Sequence, residues 1–250
     1  MTSAPPLRLT LCLLTLNEIE GCRHDVPNLP LDEFDEVFAI DGGSTDGTVE
    51  YLKGRGLPVF QQELKGYNGA YICAFTRCST DALVMYHPKG SVDPAILLKF
   101  RGYFEQGYDL VVASRLIAGA VNEEDHKLFR PRKWFVRILG LVAALLWKRD
   151  RGMIADVLHG CRGMRRDSFF AIEPLPTGVS IDLEMVVGAY RRRLPRIEFP
   201  IVEAPRLAGE TRFKAWPTGR ALLRYLAFEI GRPVKTAGQN RGQSSFEARD

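Results

Sequence analysis

Ile40-Asp41-Gly42-Gly43-Ser44-Thr45-Asp46-Gly47-Thr48 places the end of a strand, a flexible acidic turn and the start of a helix within nine residues. Upstream, Glu36-Val37-Phe38-Ala39-Ile40 reads as a buried strand with Asp41 at its carboxyl end. Two glycines then permit unusual backbone angles, and Ser44, Thr45 and Asp46 are each good helix caps. In an open α/β sheet, ligands bind just outside strand ends of this kind. The stretch therefore reads as a nucleotide-binding edge, although a cap-rich turn standing alone would serve stability equally well.

The surrounding chain supports the first reading. Strand signals at 8–14, 36–40, 58–60, 82–86 and 110–113 alternate with helix signals at 45–53 and 68–78, the pattern of a mostly parallel central sheet flanked by helices. Asp93-Pro94 opens a further helix with an acidic N-cap and a proline at the first helical position. The second half holds helix candidates at 133–147, 180–193 and 218–230 and a strand at 196–202. No internal repeat is evident. A single α/β domain over 1–234 is expected, with a polar, disordered tail at 235–250.

Composition narrows the function classes. The longest apolar run, 138–147, is ten residues and falls short of the roughly 18–20 needed to cross a bilayer. Residues 7–16 lack the small-residue cleavage site of a signal peptide and read as a first strand, so a cytoplasmic protein is expected. Five cysteines without a C-x-x-C pair signal neither a zinc site nor a disulfide framework. Residues 1–100 carry 8 Lys/Arg against 13 Asp/Glu, whereas 101–250 carry 26 against 17. A basic second half suits an anionic partner such as phospholipid, a lipid phosphate or a sugar nucleotide. No aromatic-interleaved basic stripe points to nucleic acid.

Leu14-Thr15-Leu16-Asn17-Glu18, the 41–48 turn and the loop after the 82–86 strand together resemble family 2 glycosyltransferases of the GT-A fold. Lys65-Gly66-Tyr67-Asn68-Gly69-Ala70 resembles that family's glycine-rich loop, and Ala113-Ser114-Arg115 its G-S-R strand end. A narrower likeness, to dolichyl-phosphate mannose synthase and its bacterial relatives, is carried by four segments of the second half. They are Ala155-Asp156-Val157-Leu158-His159-Gly160-Cys161-Arg162, Ile181-Asp182-Leu183-Glu184, Phe199-Pro200-Ile201, and Arg206 with Gly209-Glu210-Thr211-Arg212 and Lys214.

The resemblance implies a nucleotide-sugar half at 7–115 and an acceptor half at 116–234. It implies donor contacts from Thr15, Asn17, Glu18, Asp41, Lys65 and Arg115, with Ser44 or Asp46 compensating for Gly42, where the family has a second Asp. It implies phosphate or acceptor contacts from Arg162, Arg206, Arg212 and Lys214, and an inverting transfer to a polyprenyl phosphate or a glycan precursor; His159, standing where the family has a small polar residue, either donates a hydrogen bond to a phosphate or fills space.

One position departs from the family. Its D-x-D motif, whose last carboxylate holds Mg²⁺ or Mn²⁺ against the donor diphosphate, falls here on His87-Pro88-Lys89. Hard divalent cations prefer oxygen ligands, and an ammonium repels them. Three outcomes stay open: Lys89 acts in the cation's place, a metal site is rebuilt from His87 with Asp41 or Asp93, or catalysis is lost and a binding module remains.

A sugar-hydroxyl acceptor would need a general base, for which Asp156, Asp182 and Glu184 are the candidates. Asp182 and Glu184 are two residues apart, so on a helix they would not share a face. A phosphate acceptor, with its second pKa near 6, needs no strong base. The stretch 130–147, with basic residues and tryptophans at its margins, suits a helix lying in a membrane interface on the cytoplasmic face, or else a core helix.

Overall fold

The computed structural model describes residues 5–125, 130–150, 152–208 and 215–232. Seven strands form one sheet: β1 (Leu9–Thr15), β2 (Glu36–Asp41), β3 (Val59–Gln61), β4 (Ala82–Tyr86), β5 (Leu110–Ser114), β6 (Arg162–Arg165) and β7 (Arg196–Pro200). Their order across the sheet is β3-β2-β1-β4-β6-β5-β7. All pairings are parallel except those of β6, which runs antiparallel between β4 and β5. The two expected halves of the chain thus contribute strands to the same sheet.

Every residue of β1 is buried, which accounts for its near-continuous apolar run: a central parallel strand is covered on both faces. Its register sets Thr15 beside Asp41, bringing two loop origins to one edge. On one face, α3 (Gly66–Arg77), α5 (Pro131–Trp147), α6 (Arg166–Ala171), α7 (Ile181–Arg192) and α8 (Ala215–Gly231) enclose the larger core. The opposite face is covered by α1 (Ile19–Asp25), α2 (Thr48–Gly54) and α4 (Leu98–Glu105). All five cysteines are buried free thiols.

Several sequence expectations shift. The helix expected from residue 45 begins at Thr48, because Ser44 and Thr45 are held by the turn and Gly47, at a φ of 92°, makes the entry. Asp93 does cap, accepting from the Ala95 N–H at 2.8 Å, but the segment it opens is a short 3₁₀ turn, Pro94–Leu97, ahead of α4. The 196–202 strand ends at Pro200; Val202 makes only an isolated bridge to Val121. Strand β6, with α1 and α6, was not foreseen. The expected tail at 235–250 lies outside the described residues.

Candidate active site

The carboxyl ends of β1, β2 and β4 converge, and each contributes a loop. The first two are tied together by short polar contacts. Asp41 accepts from Thr15 Oγ1 at 2.9 Å, from the Gly43 and Ser44 N–H groups at 2.8 and 2.7 Å, and from Ser44 Oγ. The Asn17 N–H donates to Ser44 Oγ at 2.8 Å, and Asn17 Oδ1 accepts from the Thr45 N–H at 2.7 Å. Asn17 itself sits at a φ of 51°, a left-handed conformation that Asn tolerates better than most residues. Asp46 accepts from the Ile19 and Thr48 N–H groups, both at 3.0 Å, and from Thr48 Oγ1. The side chains expected to touch the donor therefore also build the rim that would hold it. Asp41 is a brace, with both carboxylate oxygens already engaged.

The third loop, His87-Pro88-Lys89, is fixed from two sides. On the α1 side, Gly21 has no side chain where a Cβ would stand 2.2 Å from the Pro88 carbonyl oxygen, and Asp25 accepts from the Gly90 N–H at 2.9 Å. On the other, the Lys89 carbonyl accepts from the Leu207 N–H at 3.2 Å and the Ser91 carbonyl from the Ala204 N–H at 2.8 Å. Lys89 is partly buried and makes no side-chain hydrogen bond or ion pair among the described residues. Burial lowers its pKa, opposed by the nearby Glu18 carboxylate.

Among the described residues, each carboxylate around Lys89 already has an arginine. Glu18 pairs with Arg206 at 2.6 Å, Glu203 with Arg115 at 3.2 Å, and Asp182 with Arg162 at 3.2 Å. Arg162 is fully buried and donates to the His159 carbonyl at 2.7 Å and the Asp182 carbonyl at 2.6 Å, but its Nη2 has no partner among the described residues. The buried Nδ1 of His159 also lacks one. Burial, reinforced by Arg115, lowers the His159 pKa to about 3, so its ring is neutral.

Arg115, expected against a phosphate, is taken by carboxylates. Its backbone N–H, Nε and Nη2 all donate to Asp156, at 3.0, 2.8 and 2.9 Å, and its Nη1 to Glu203. Burial alone would raise the Asp156 pKa, yet the guanidinium draws it well below the usual carboxylate range. A carboxylate so acidic and so fully bonded is a poor base.

Glu184 is equally committed: Ser180 Oγ donates at 2.6 Å, Asn68 Nδ2 at 2.7 Å and the Leu175 N–H at 2.8 Å. It ties the start of α7 to α3. Asp182 faces elsewhere, accepting from Tyr67 at 3.2 Å and Tyr71 at 3.1 Å besides its contact with Arg162. Burial raises its pKa, with Arg162 opposing. Lys65 is exposed at the start of α3, and Arg212 and Lys214 lie outside the described residues.

The residues present do not fit the divalent cation of the family pattern. Pro88 offers no ligand and Lys89 a positive charge. The His87 ring packs toward Gly160 and Tyr67, with Nε2 3.4 Å from the Tyr67 hydroxyl, and burial, with Lys89 adding to it, keeps it neutral. Asp41 is consumed by its turn and Asp93 caps a 3₁₀ turn. No group of three or more His, Cys, Asp or Glu among the described residues could hold a metal.

Sequence reasoning passed over Tyr67 and Tyr71, whose i,i+4 spacing on α3 puts both hydroxyls on one face. It also passed over Glu203, a lone acid without a motif.

The sequence profile described as glycosyl transferase family 2 matches residues 11–171. The chain is similar to three proteins of Haloferax volcanii. Glycosyltransferase AglJ is 27% identical over 202 residues, covering 80% of this chain and 64% of the relative. The low-salt glycan biosynthesis hexosyltransferase Agl6 is 26% identical over 230 residues, covering 87% and 52%. A dolichyl-phosphate hexose transferase is 27% identical over 188 residues, covering 75% and 77%. The chain thus spans less than two thirds of the length of the first two. Among solved structures, glucosyl-3-phosphoglycerate synthase from Mycobacterium tuberculosis, in complex with Mn²⁺, UDP and phosphoglyceric acid, superposes with a TM-score of 0.70 at 18% identity. That match covers 91% of this chain and 80% of the synthase, a likeness of fold.

Proposed function

The chain belongs to glycosyl transferase family 2, and from that premise we propose that it moves a sugar from a nucleotide-activated donor to a polyprenyl phosphate. The observation that carries the choice of acceptor is the state of the three candidate bases. Asp156, Asp182 and Glu184 each accept three hydrogen bonds or ion contacts from the protein itself. A sugar hydroxyl must lose a proton to one of them, whereas a phosphate monoester arrives already ionised. In this reading the three acids hold Arg115, Arg162 and the α3–α7 contact in place.

A second feature supports a lipid-borne acceptor. On α5, Trp134, Ile138, Leu141 and Leu145 form one exposed stripe, with Trp134 at 58% and Leu145 at 71% exposure. On the adjoining α8, Trp216, Leu223, Phe228 and Ile230 are exposed, Trp216 at 90%. Residues 131–149 contain no acid, and the single acid of α8, Glu229, is buried against Arg191. Apolar stripes bordered by Arg132, Arg137, Arg149, Arg220 and Arg224 suit an anionic lipid interface. No described helix is long and apolar enough to cross a membrane.

The test is transfer from a panel of labelled nucleoside-diphosphate sugars to a polyprenyl phosphate in liposomes, run beside free glycan acceptors. Label on the lipid phosphate is expected. Label on glycans alone would replace this acceptor with a saccharide, and nucleotide binding without any turnover would leave a binding module.

A further inference from the structure

At the end of β4 the chain presents an ammonium where the family pattern calls for carboxylates and a divalent cation, and the surroundings treat that ammonium as a built feature. The loop carrying it is fixed on both sides, by Gly21 and Asp25 beneath it and by the 204–207 segment over it. Its neighbours Glu18, Asp182 and Glu203 are each paired with an arginine, so none is left to Lys89 alone. A partly buried cation without a bonded partner among the described residues is costly. It is retained at a strand end where an anionic ligand is expected in this fold. A phosphoryl group, whose oxygens accept charge-assisted hydrogen bonds, meets that deficit.

We propose that Lys89 is the residue that receives the donor diphosphate, supplying the positive charge that a divalent cation would otherwise bring. The inference rests on the donor reading given above. In the transfer, an oxygen of the acceptor phosphate provides the electron pair for the new bond to the anomeric carbon. The bond from that carbon to the β-phosphate oxygen breaks, and its electron pair leaves on that oxygen. The nucleoside diphosphate departs with one more negative charge than it carried in the donor, and the ammonium stabilises that charge through hydrogen bonds without giving up a proton. Lys89 is placed to do this where its loop cannot drift, which is the condition for electrostatic stabilisation to count.

The experiment is calorimetric titration of the full chain with UDP, GDP and ADP, each in EDTA and again in Mn²⁺, for wild type, Lys89→Met and Lys89→Asp. Wild type is expected to bind one of the nucleotides equally in both buffers. Lys89→Met, which keeps the length and apolar stem, should bind about tenfold or more weakly in either buffer while keeping its melting temperature, the loss of a charge-assisted contact being worth about that factor. Lys89→Asp should bind poorly in EDTA and regain affinity in Mn²⁺. Wild-type binding that requires Mn²⁺, or Lys89→Met binding as tightly as wild type, would overturn the assignment while leaving the donor reading intact. A folded wild type that binds no nucleotide in either buffer would overturn the donor reading, and the lysine's role with it.

Discussion

Gly21 lies in α1 directly beneath the His-Pro-Lys loop, and its replacement by alanine sets two effects against each other. Alanine is the better helix former by about 0.8–1.0 kcal/mol. The added Cβ, however, would stand 2.2 Å from the Pro88 carbonyl oxygen and 2.7 Å from Lys89 Cα, and both atoms are backbone. Heavy atoms normally meet at about 3.5 Å, so helix and loop would have to part by about 1 Å. Insertions of this kind into a packed interior cost about 1–3 kcal/mol. A 2.2 Å approach to backbone belongs at the upper end of that range, about 2–3 kcal/mol, so the clash outweighs the propensity and Gly21→Ala should lose about 1–2 kcal/mol. For a chain of this size that is a fall in Tm of about 2–8 °C. The second consequence is functional. The displaced atoms carry Lys89, and a misplacement of about 1 Å can cost up to a hundredfold where geometry is tight. Denaturant unfolding and nucleotide titration on the same preparation read both effects. A variant more stable than wild type, with unchanged nucleotide affinity, would refute the claim that α1 sets the position of the loop.

Asp156→Asn removes the charge from a buried pair and should cost about 3–5 kcal/mol in denaturant unfolding at pH 7. The folded pKa of Asp156 lies below its unfolded value, so the contribution is present above about pH 4 and fades as pH falls from there, and wild type and variant should converge in acid. Asn17→Ala places a less tolerant residue at a φ of 51° and deletes the bond to Thr45, for a loss of about 1–3 kcal/mol; Asn17→Gly should recover the conformational part only. Ile138→Glu with Leu145→Glu should leave Tm within a few degrees of wild type and abolish flotation with anionic liposomes, and unchanged flotation would remove the lipid-surface reading.

The parallel half of the fold was legible because its signals are local. A buried run such as Leu9–Thr15 and a strand-turn-helix such as 36–48 each lie within a few residues. Strand β6 was not, since Arg162-Gly163-Met164-Arg165 is four residues long and has no alternation; its place is set by β4 and β5 on either side. Helix α1 carries two apolar residues among seven and is formed by what it covers. At the site, residue types were legible and pairings were not. Arg115 and Asp156 are 41 residues apart, and nothing in the sequence says that their charges cancel each other. The same holds for Glu184, whose commitment to Asn68 and Ser180 spans α3 and α7. The opposite facing of Asp182 and Glu184 was legible, because helical geometry alone requires it.

The most direct measurement is the crystal structure of the chain soaked with the nucleoside diphosphate that titrates best, in the presence of Mn²⁺, with anomalous data collected at the manganese edge. The expected result is a nucleoside against the 15–18 and 41–46 loops, a diphosphate within hydrogen-bond distance of Lys89 Nζ, and no anomalous peak beside it. A manganese peak at the end of β4 bridging the diphosphate, or a nucleotide bound away from these strand ends, would contradict it.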